Sequence, residues 1–267
     1  MAIYFIIAVV VVLVAFVTYW ALTRGETVDL RCPNARARAA AQWLAQGESE
    51  EAEHMLRSAV EVLEGWDQVL ARRDLANLLA ATGQVEDAIE ELELGLEQNW
   101  PEHEIESVEI QITSADLQLS IGRSEQAIVA LTRAEQAHDN STAIALLQES
   151  RGLLLIHQEE HESATSLLRL AFEQLSELGH DRTASTWVSL AYSLQCQNLA
   201  LPWPEFDSLA QELQRAILTN MSDRLPGFAS VPGQALLNAT IQKLGQGGDW
   251  QAESQLLSEL RNSLEFY

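Results

Sequence analysis

The chain has 267 residues, with 16 Lys and Arg against 39 Asp and Glu, giving a formal net charge of −23. Apolar residues make up 47% of it, ample for a packed core, which excludes a disordered acidic tail. A surface this negative repels phosphate backbones and argues against a nucleic-acid partner.

The acidity is unevenly placed along the chain. Residues 1–23 contain no Asp, Glu, Lys or Arg, and Ala2 to Leu22 is an almost unbroken apolar run. About 20 such residues cross the hydrocarbon core of a bilayer as one helix. Tyr4 and Phe5 near one end, with Tyr19 and Trp20 near the other, match interfacial aromatic belts. A cleaved signal peptide would need basic residues before the run and an apolar stretch of only about 7–15 residues. The run therefore reads as an uncleaved transmembrane anchor, 1–23, with residues 2–22 in the membrane.

Arg24, Arg31, Arg36 and Arg38 follow the run. The positive-inside rule then places the remainder in the cytoplasm, anchored in an inner (cytoplasmic) membrane. A periplasmic placement is the alternative. Residues 24–38 read as a juxtamembrane basic linker, a collar drawn to anionic headgroups that repel the acidic remainder.

From about residue 35 the chain reads as helix after helix, without alternating strand patterns. Gly47, Ala52, Leu56 and Ala59 set a spacing that returns at Gly83, Ala88, Leu92 and Gly95, and again at Gly122, Ala127, Leu131 and Ala134. A fourth copy has Ala164, Leu168 and Ala171 but Glu159 in the glycine position, and a weaker one has Gly247, Ala252 and Leu256. An antiparallel helix pair explains the pattern. The glycine ends the first helix and makes the turn, and the small alanine sits where the two helices approach most closely. The leucine and second small residue continue that face at i+4 and i+7.

The alanines recur 36, 39 and 37 residues apart, somewhat longer than the 34 of the tetratricopeptide repeat family, which the pattern resembles. Residues 39–178 carry the resemblance, and residues 179–267 read as divergent helical hairpins closed by a C-terminal cap. Here Thr183 to Asn198 and Phe206 to Leu218 are expected to be helical, with Leu201-Pro202-Trp203-Pro204 as a break between them. The fold class is all-α: an N-terminal transmembrane helix, then a right-handed solenoid of about six helical hairpins.

Little in the sequence suggests chemistry. His157-Gln158-Glu159-Glu160-His161 matches an H-x-x-E-H zinc-peptidase string, but the repeat frame puts it across a turn, where it reads as a polar connection. No nucleotide-binding or nucleophile-elbow string is present, and Lys243 is the only lysine and reads as a helix-end charge. Cys32 and Cys196 form neither a disulfide framework nor a CxxC pair. The chain therefore reads as a non-enzyme without cofactor or metal.

Repeats of this kind hold a partner peptide or helix in a groove built from their first helices. Candidate groove residues are Arg72, Arg73, Asn77, Gln111, Ser114, Gln118 and Trp203, with Arg36 and Gln42 as further polar positions. Arg72, Arg73 and Asn77 would clamp an acidic side chain or a C-terminal carboxylate, or pair with neighbouring glutamates instead. Trp100 and Trp203, each beside a proline, would anchor a partner or pack against the next hairpin. The layout is similar to the lipopolysaccharide assembly protein B family, without that family's two CxxC pairs. It implies a bacterial membrane-anchored scaffold that binds a protein partner during assembly or maturation of a membrane or envelope complex. The alternative is a stoichiometric accessory subunit held by its transmembrane helix.

Overall fold

The computed structural model describes residues 28–97, 100–135, 140–223, 230–247 and 249–264. The anchor read from residues 2–22 lies outside the described residues, and among the described residues no helix is long and apolar enough to cross a membrane. The described secondary structure is helical, without strands. A first compact unit ends at Glu97 and a second begins at Gln98.

The first unit holds two helix pairs: α1 (Pro33–Ala45) with α2 (Ser49–Val62), and α3 (Gly65–Ala81) with α4 (Val85–Gly95). The second holds α5 (Glu104–Ser120) with α6 (Ser124–Ala134), and α7 (Ser141–His157) with α8 (His161–Leu178). There follow α9 (Thr183–Cys196), a short α10 (Trp203–Ser208) and α11 (Gln211–Asp223), then α12 (Val231–Leu244) with α13 (Gln251–Leu264). The count of six hairpins among the described residues agrees with the sequence period.

One local device ends each of the first five leading helices. Gly47, Gly83 and Gly122 sit at φ of +79°, +84° and +76°, where only glycine is unstrained. The next amide reaches back across the turn: Gln84 N–H donates to the Leu79 carbonyl at 2.8 Å, and Arg123 N–H to Gln118 at 2.8 Å. Glu159 and Asn198 take the same left-handed conformation, at φ of 63° and 56°. Glu160 N–H then donates to Leu155, and Leu199 N–H to Leu194, both at 2.9 Å. Geometry thus extends the period to a copy at Asn198 that the glycine pattern does not reveal. A glutamate in this conformation is strained by roughly 1–2 kcal/mol. Glu159→Gly is expected to stabilise the protein by about 0.5–1 kcal/mol, the unfolded-state entropy of glycine offsetting part of the relief. A urea midpoint that stays put or falls would refute this.

The small residues do what the spacing implies. Ala52, Ala59, Ala88, Ala127, Ala134, Ala164 and Ala171 are fully buried, as are Leu56 and Leu168. Behind the fourth copy, a side-chain carbon added at Gly152 of α7 would lie 2.6 Å from Leu168 Cγ on α8. This glycine admits the close approach of α7 and α8, and it stands outside the repeat pattern.

Three sequence expectations are corrected. In the last copy the register is displaced by one residue: Ala252 and Leu256 are exposed, and Leu257, Leu260 and Leu264 are buried. The stretch Phe206 to Leu218 is not one helix. Pro204 falls in the first turn of α10, where a missing N–H costs nothing, and extended backbone at Leu209 separates α10 from α11. The linker read as 24–38 overlaps α1, which starts at Pro33 and buries Arg36 completely. Arg36 Nε donates to Asp74 at 3.1 Å, and its Nη1 donates to the Leu30 carbonyl. Of the three collar arginines among the described residues, Arg31 and Arg38 are exposed.

Candidate functional site

The residues named from sequence fall in both units, with Arg72, Arg73 and Asn77 in the first and Gln111, Ser114, Gln118 and Trp203 in the second. Arg72 reaches Glu91 of α4 at 2.5 Å, and Arg73 reaches Asp74 at 3.1 Å, so both guanidiniums have carboxylate partners within the first unit. Asn77 is exposed and, with Asp74, lines a shallow depression of about 160 Å³ between α1 and α3. Ser114 and Gln118 are buried, their side chains in contact at 3.4 Å, and Gln111 is half-buried with its carbonyl oxygen shut from solvent. Helix α5 thus turns these amides inward, which removes Ser114 and Gln118 from any exposed groove. Gln42 is exposed on α1. Arg36 is no groove residue, being buried against Asp74.

Trp203 is half-buried in an aromatic cluster. Its ring centroid lies 5.8 Å from that of Trp187 and 6.0 Å from Phe206, edge-on to the latter. Lys243 Nζ sits 5.1 Å from the Trp203 centroid and pairs with Asp207 at 2.9 Å. The tryptophan therefore packs α10 between α9 and the end of α12, and the lone lysine closes that contact.

The second unit carries a different site. A cavity of about 610 Å³ opens between leading helices α7, α9 and α12. Leu153 and Ile156 from α7, Val188 and Tyr192 from α9, and Pro232 from α12 make its apolar walls. His157, Glu159, His161, Ser189 and Cys196 supply its polar edge. The H-x-x-E-H string therefore does lie across a turn, with His157 ending α7 and His161 opening α8. What the sequence does not disclose is that this turn forms one rim of a groove.

Hydrogen bonds from α9 hold that rim. Ser193 Oγ and Gln197 Nε2 each donate to the His161 carbonyl at 2.9 Å, and Gln197 Nε2 also donates to Thr165 Oγ1 at 2.7 Å. At the opposite side Tyr192 and Ser230 share a hydrogen bond of 3.3 Å, joining α9 to the start of α12. Burial pushes the Cys196 thiol and the Tyr192 phenol above their ordinary values. Both stay protonated at neutral pH, which denies Cys196 the thiolate that nucleophilic chemistry needs.

One turn along α7 and α9 from the groove, an ion network fixes the spacing of their walls. Arg182, preceding α9, contacts Asp116 of α5 at 2.5 Å and Glu149 of α7 at 2.7 Å. Ser150 Oγ donates to Asp116 at 2.7 Å, and Ser185 Oγ donates to Glu149 at 3.1 Å. Glu149 is fully buried, and burial pushes its carboxyl above the ordinary range, opposed by Arg182 and reinforced by Asp116. Burial alone would lower Arg182, but the two carboxylates hold it above its ordinary value. Two acids thus share one guanidinium beneath the groove. The pattern of alanines and leucines contains no trace of this network, because its members sit on the faces that the repeat spacing leaves unassigned.

No protein-family model and no curated protein matches the chain. Solved structures do resemble it, as proteins of tetratricopeptide-like repeat fold. The apo form of RapI aligns over 94% of this chain and 80% of its own, with TM-score 0.57 and 14% identity. BtubC (BKLC) from P. vanneervenii aligns over 68% and 78%, with TM-score 0.52 and 17% identity. The APC/C hetero-tetramer Cut9–Hcn1 aligns over 92% of this chain and 45% of its own, with TM-score 0.53 and 12% identity. At such identities the likeness concerns the fold: helical hairpins of tetratricopeptide-like type.

Proposed function

We propose that the protein is a membrane-anchored helical-repeat scaffold that holds a segment of a partner protein in the groove between α7, α9 and α12. The observation that carries this reading is the groove itself. Three leading helices line it with aliphatic walls and a polar rim, which is the composition that suits a bound chain segment. Its Ser189 hydroxyl donates to the Ser185 carbonyl at 3.0 Å and its thiol is held protonated, so the arrangement favours binding over catalysis. A partner in the Cut9–Hcn1 assembly accords with a repeat protein acting in a complex.

The uncharged run 2–22 supports a tether, and the arginines after it support a cytoplasmic repeat domain at the inner membrane, serving assembly or maturation of a membrane or envelope complex. Exposed Arg31 and Arg38 remain available to lipid headgroups, whereas Arg36 is withdrawn by Asp74. An anchor that only tethers can be exchanged. Replacing residues 1–23 by an unrelated transmembrane helix is then expected to preserve partner capture, and its loss would favour the accessory-subunit reading.

A photo-crosslinking residue at Ile156, which is half-buried at the groove, tests the site in intact cells. A discrete adduct is expected from that position and none from Thr132, exposed on α6. Equal adducts from both positions, or none from Ile156, would overturn the groove.

A further inference from the structure

We infer that the segment held in this groove is cationic, a stretch of apolar side chains flanked by Lys or Arg. The inference rests on the groove reading above and goes beyond it to the chemistry of the occupant. It also reverses the acidic partner that Arg72 and Arg73 suggest from sequence, because both of those cations are already neutralised.

The charge ledger of the second unit carries the argument. Residues 98–267 contain nine Lys and Arg against 23 Asp and Glu, a net of −14. Those cations are largely turned to intrachain carboxylates: Arg151 to Glu135, Arg169 to Glu205, Arg182 to Asp116 and Glu149, Arg215 to Glu253, and Lys243 to Asp207. Among the described residues no Lys or Arg lines the groove, and Glu159 is the one carboxylate that does. Helix α9, the central wall, contains no charged residue at all. An anionic segment would meet the Glu159 carboxylate at the described lining and no Lys or Arg to offset it.

The left-handed turn adds direction. Glu159 is exposed at the rim, with Glu160 and Glu162 exposed beside it in the chain. An apolar wall of low dielectric lengthens the reach of such charges and focuses the field at the mouth. The apolar contacts then supply affinity, and the rim sets sign and speeds association.

The test uses the full chain in micelles of an uncharged detergent and three fluorescein-labelled octapeptides. The first is Lys-Lys-Gly-Leu-Phe-Gly-Lys-Lys, the second replaces every Lys by Glu, and the third replaces Leu-Phe by Ser-Ser. Fluorescence anisotropy is expected to show binding of the first, weakening as salt rises from about 50 to about 500 mM. The other two are expected to bind at least roughly tenfold more weakly. Glu159→Lys, which keeps a non-glycine residue in the same turn, should weaken the first peptide roughly tenfold with an unchanged melting curve. The bound peptide should also suppress the adduct formed from Ile156.

Equal binding of the acidic peptide, or indifference to Glu159→Lys, overturns the cationic occupant. If the Ile156 adduct is nevertheless suppressed by either peptide, the groove reading survives that failure. If no peptide binds or competes, the cationic inference fails. If the Ile156 crosslinker also captures nothing in cells, the groove fails with it.

Discussion

Arg182→Ala is expected to destabilise the second unit by about 3–5 kcal/mol, because it leaves a buried carboxylate without its counter-ion. Glu149 has no exposed surface, and among the described residues Arg182 is the one cation that contacts both it and Asp116. Ser185 and Ser150 would each still donate a hydrogen bond, which is too little to solvate two anions. Urea denaturation of the wild type and variant measures the loss. A cost below about 1 kcal/mol would mean that the network behaves as an exposed pair.

The same network fixes a pH dependence. The carboxyl of Glu149 is raised by burial, so folding favours its protonated form. Its contribution to stability is fully present below its unfolded value of about 4.5 and declines as pH rises above that through the folded value. Glu149→Gln is expected to remove this decline while keeping a group that Ser185 can bond. Stability curves of wild type and Glu149→Gln at pH 5 and pH 8 check the sign. A variant that loses more stability than wild type on going to pH 8 would contradict it.

Trp187→Ala is the second large effect, expected at about 3–5 kcal/mol for the transfer and cavity costs of a fully buried aromatic. Among the described residues Trp187 is the largest fully buried side chain, and it belongs to the larger core cluster of the second unit. Its ring lies 5.8 Å from Trp203 and 5.5 Å from Phe206. Its indole N–H meets no hydrogen-bond acceptor among the described residues, so Trp187→Phe should cost markedly less, by keeping an aromatic ring. The two variants compared in thermal melts separate ring packing from polar contact. Because Val188 is the next residue and lines the groove, Trp187→Ala should also weaken any groove ligand.

Much of the architecture was readable because the repeat writes it in backbone chemistry. A left-handed turn demands glycine, and a close helix approach demands alanine, so Gly47, Gly83 and Gly122 marked three hairpins and the alanines marked their contacts. Where other chemistry meets the same demand the signal fades. Asn198 tolerates the left-handed conformation without the glycine mark, and Glu159 adopts it at a cost. The spacing of Gly247, Ala252 and Leu256 puts the last hairpin one residue out of register, because the buried set is Leu257, Leu260 and Leu264. A helical face is broad enough for such a slip to look consistent in sequence.

The site was less legible. Arg72 and Arg73 were conspicuous as cations in an acidic chain, yet acidity is the reason they are paired with Glu91 and Asp74. Ser114 and Gln118 read as polar groove positions, and the helix turns them inward. The groove residues Leu153, Ile156, Val188 and Tyr192 look like ordinary core in sequence, because apolar periodicity does not distinguish a covered face from one left open.

By itself the sequence determined the helical class, the hairpin period, the turn positions and the strong negative charge, since each depends on residue type at short range. It also wrote the uncharged run 2–22, which lies outside the described residues. Only the tertiary structure decided which charges cancel and which faces stay open. Asp116, Glu149 and Arg182 are separated by 33 residues each, one hairpin apart, and only packing of successive leading helices brings them within 3 Å. Among the described residues the same packing leaves the walls of α7, α9 and α12 uncovered, so that a plain polar turn becomes the rim of a groove.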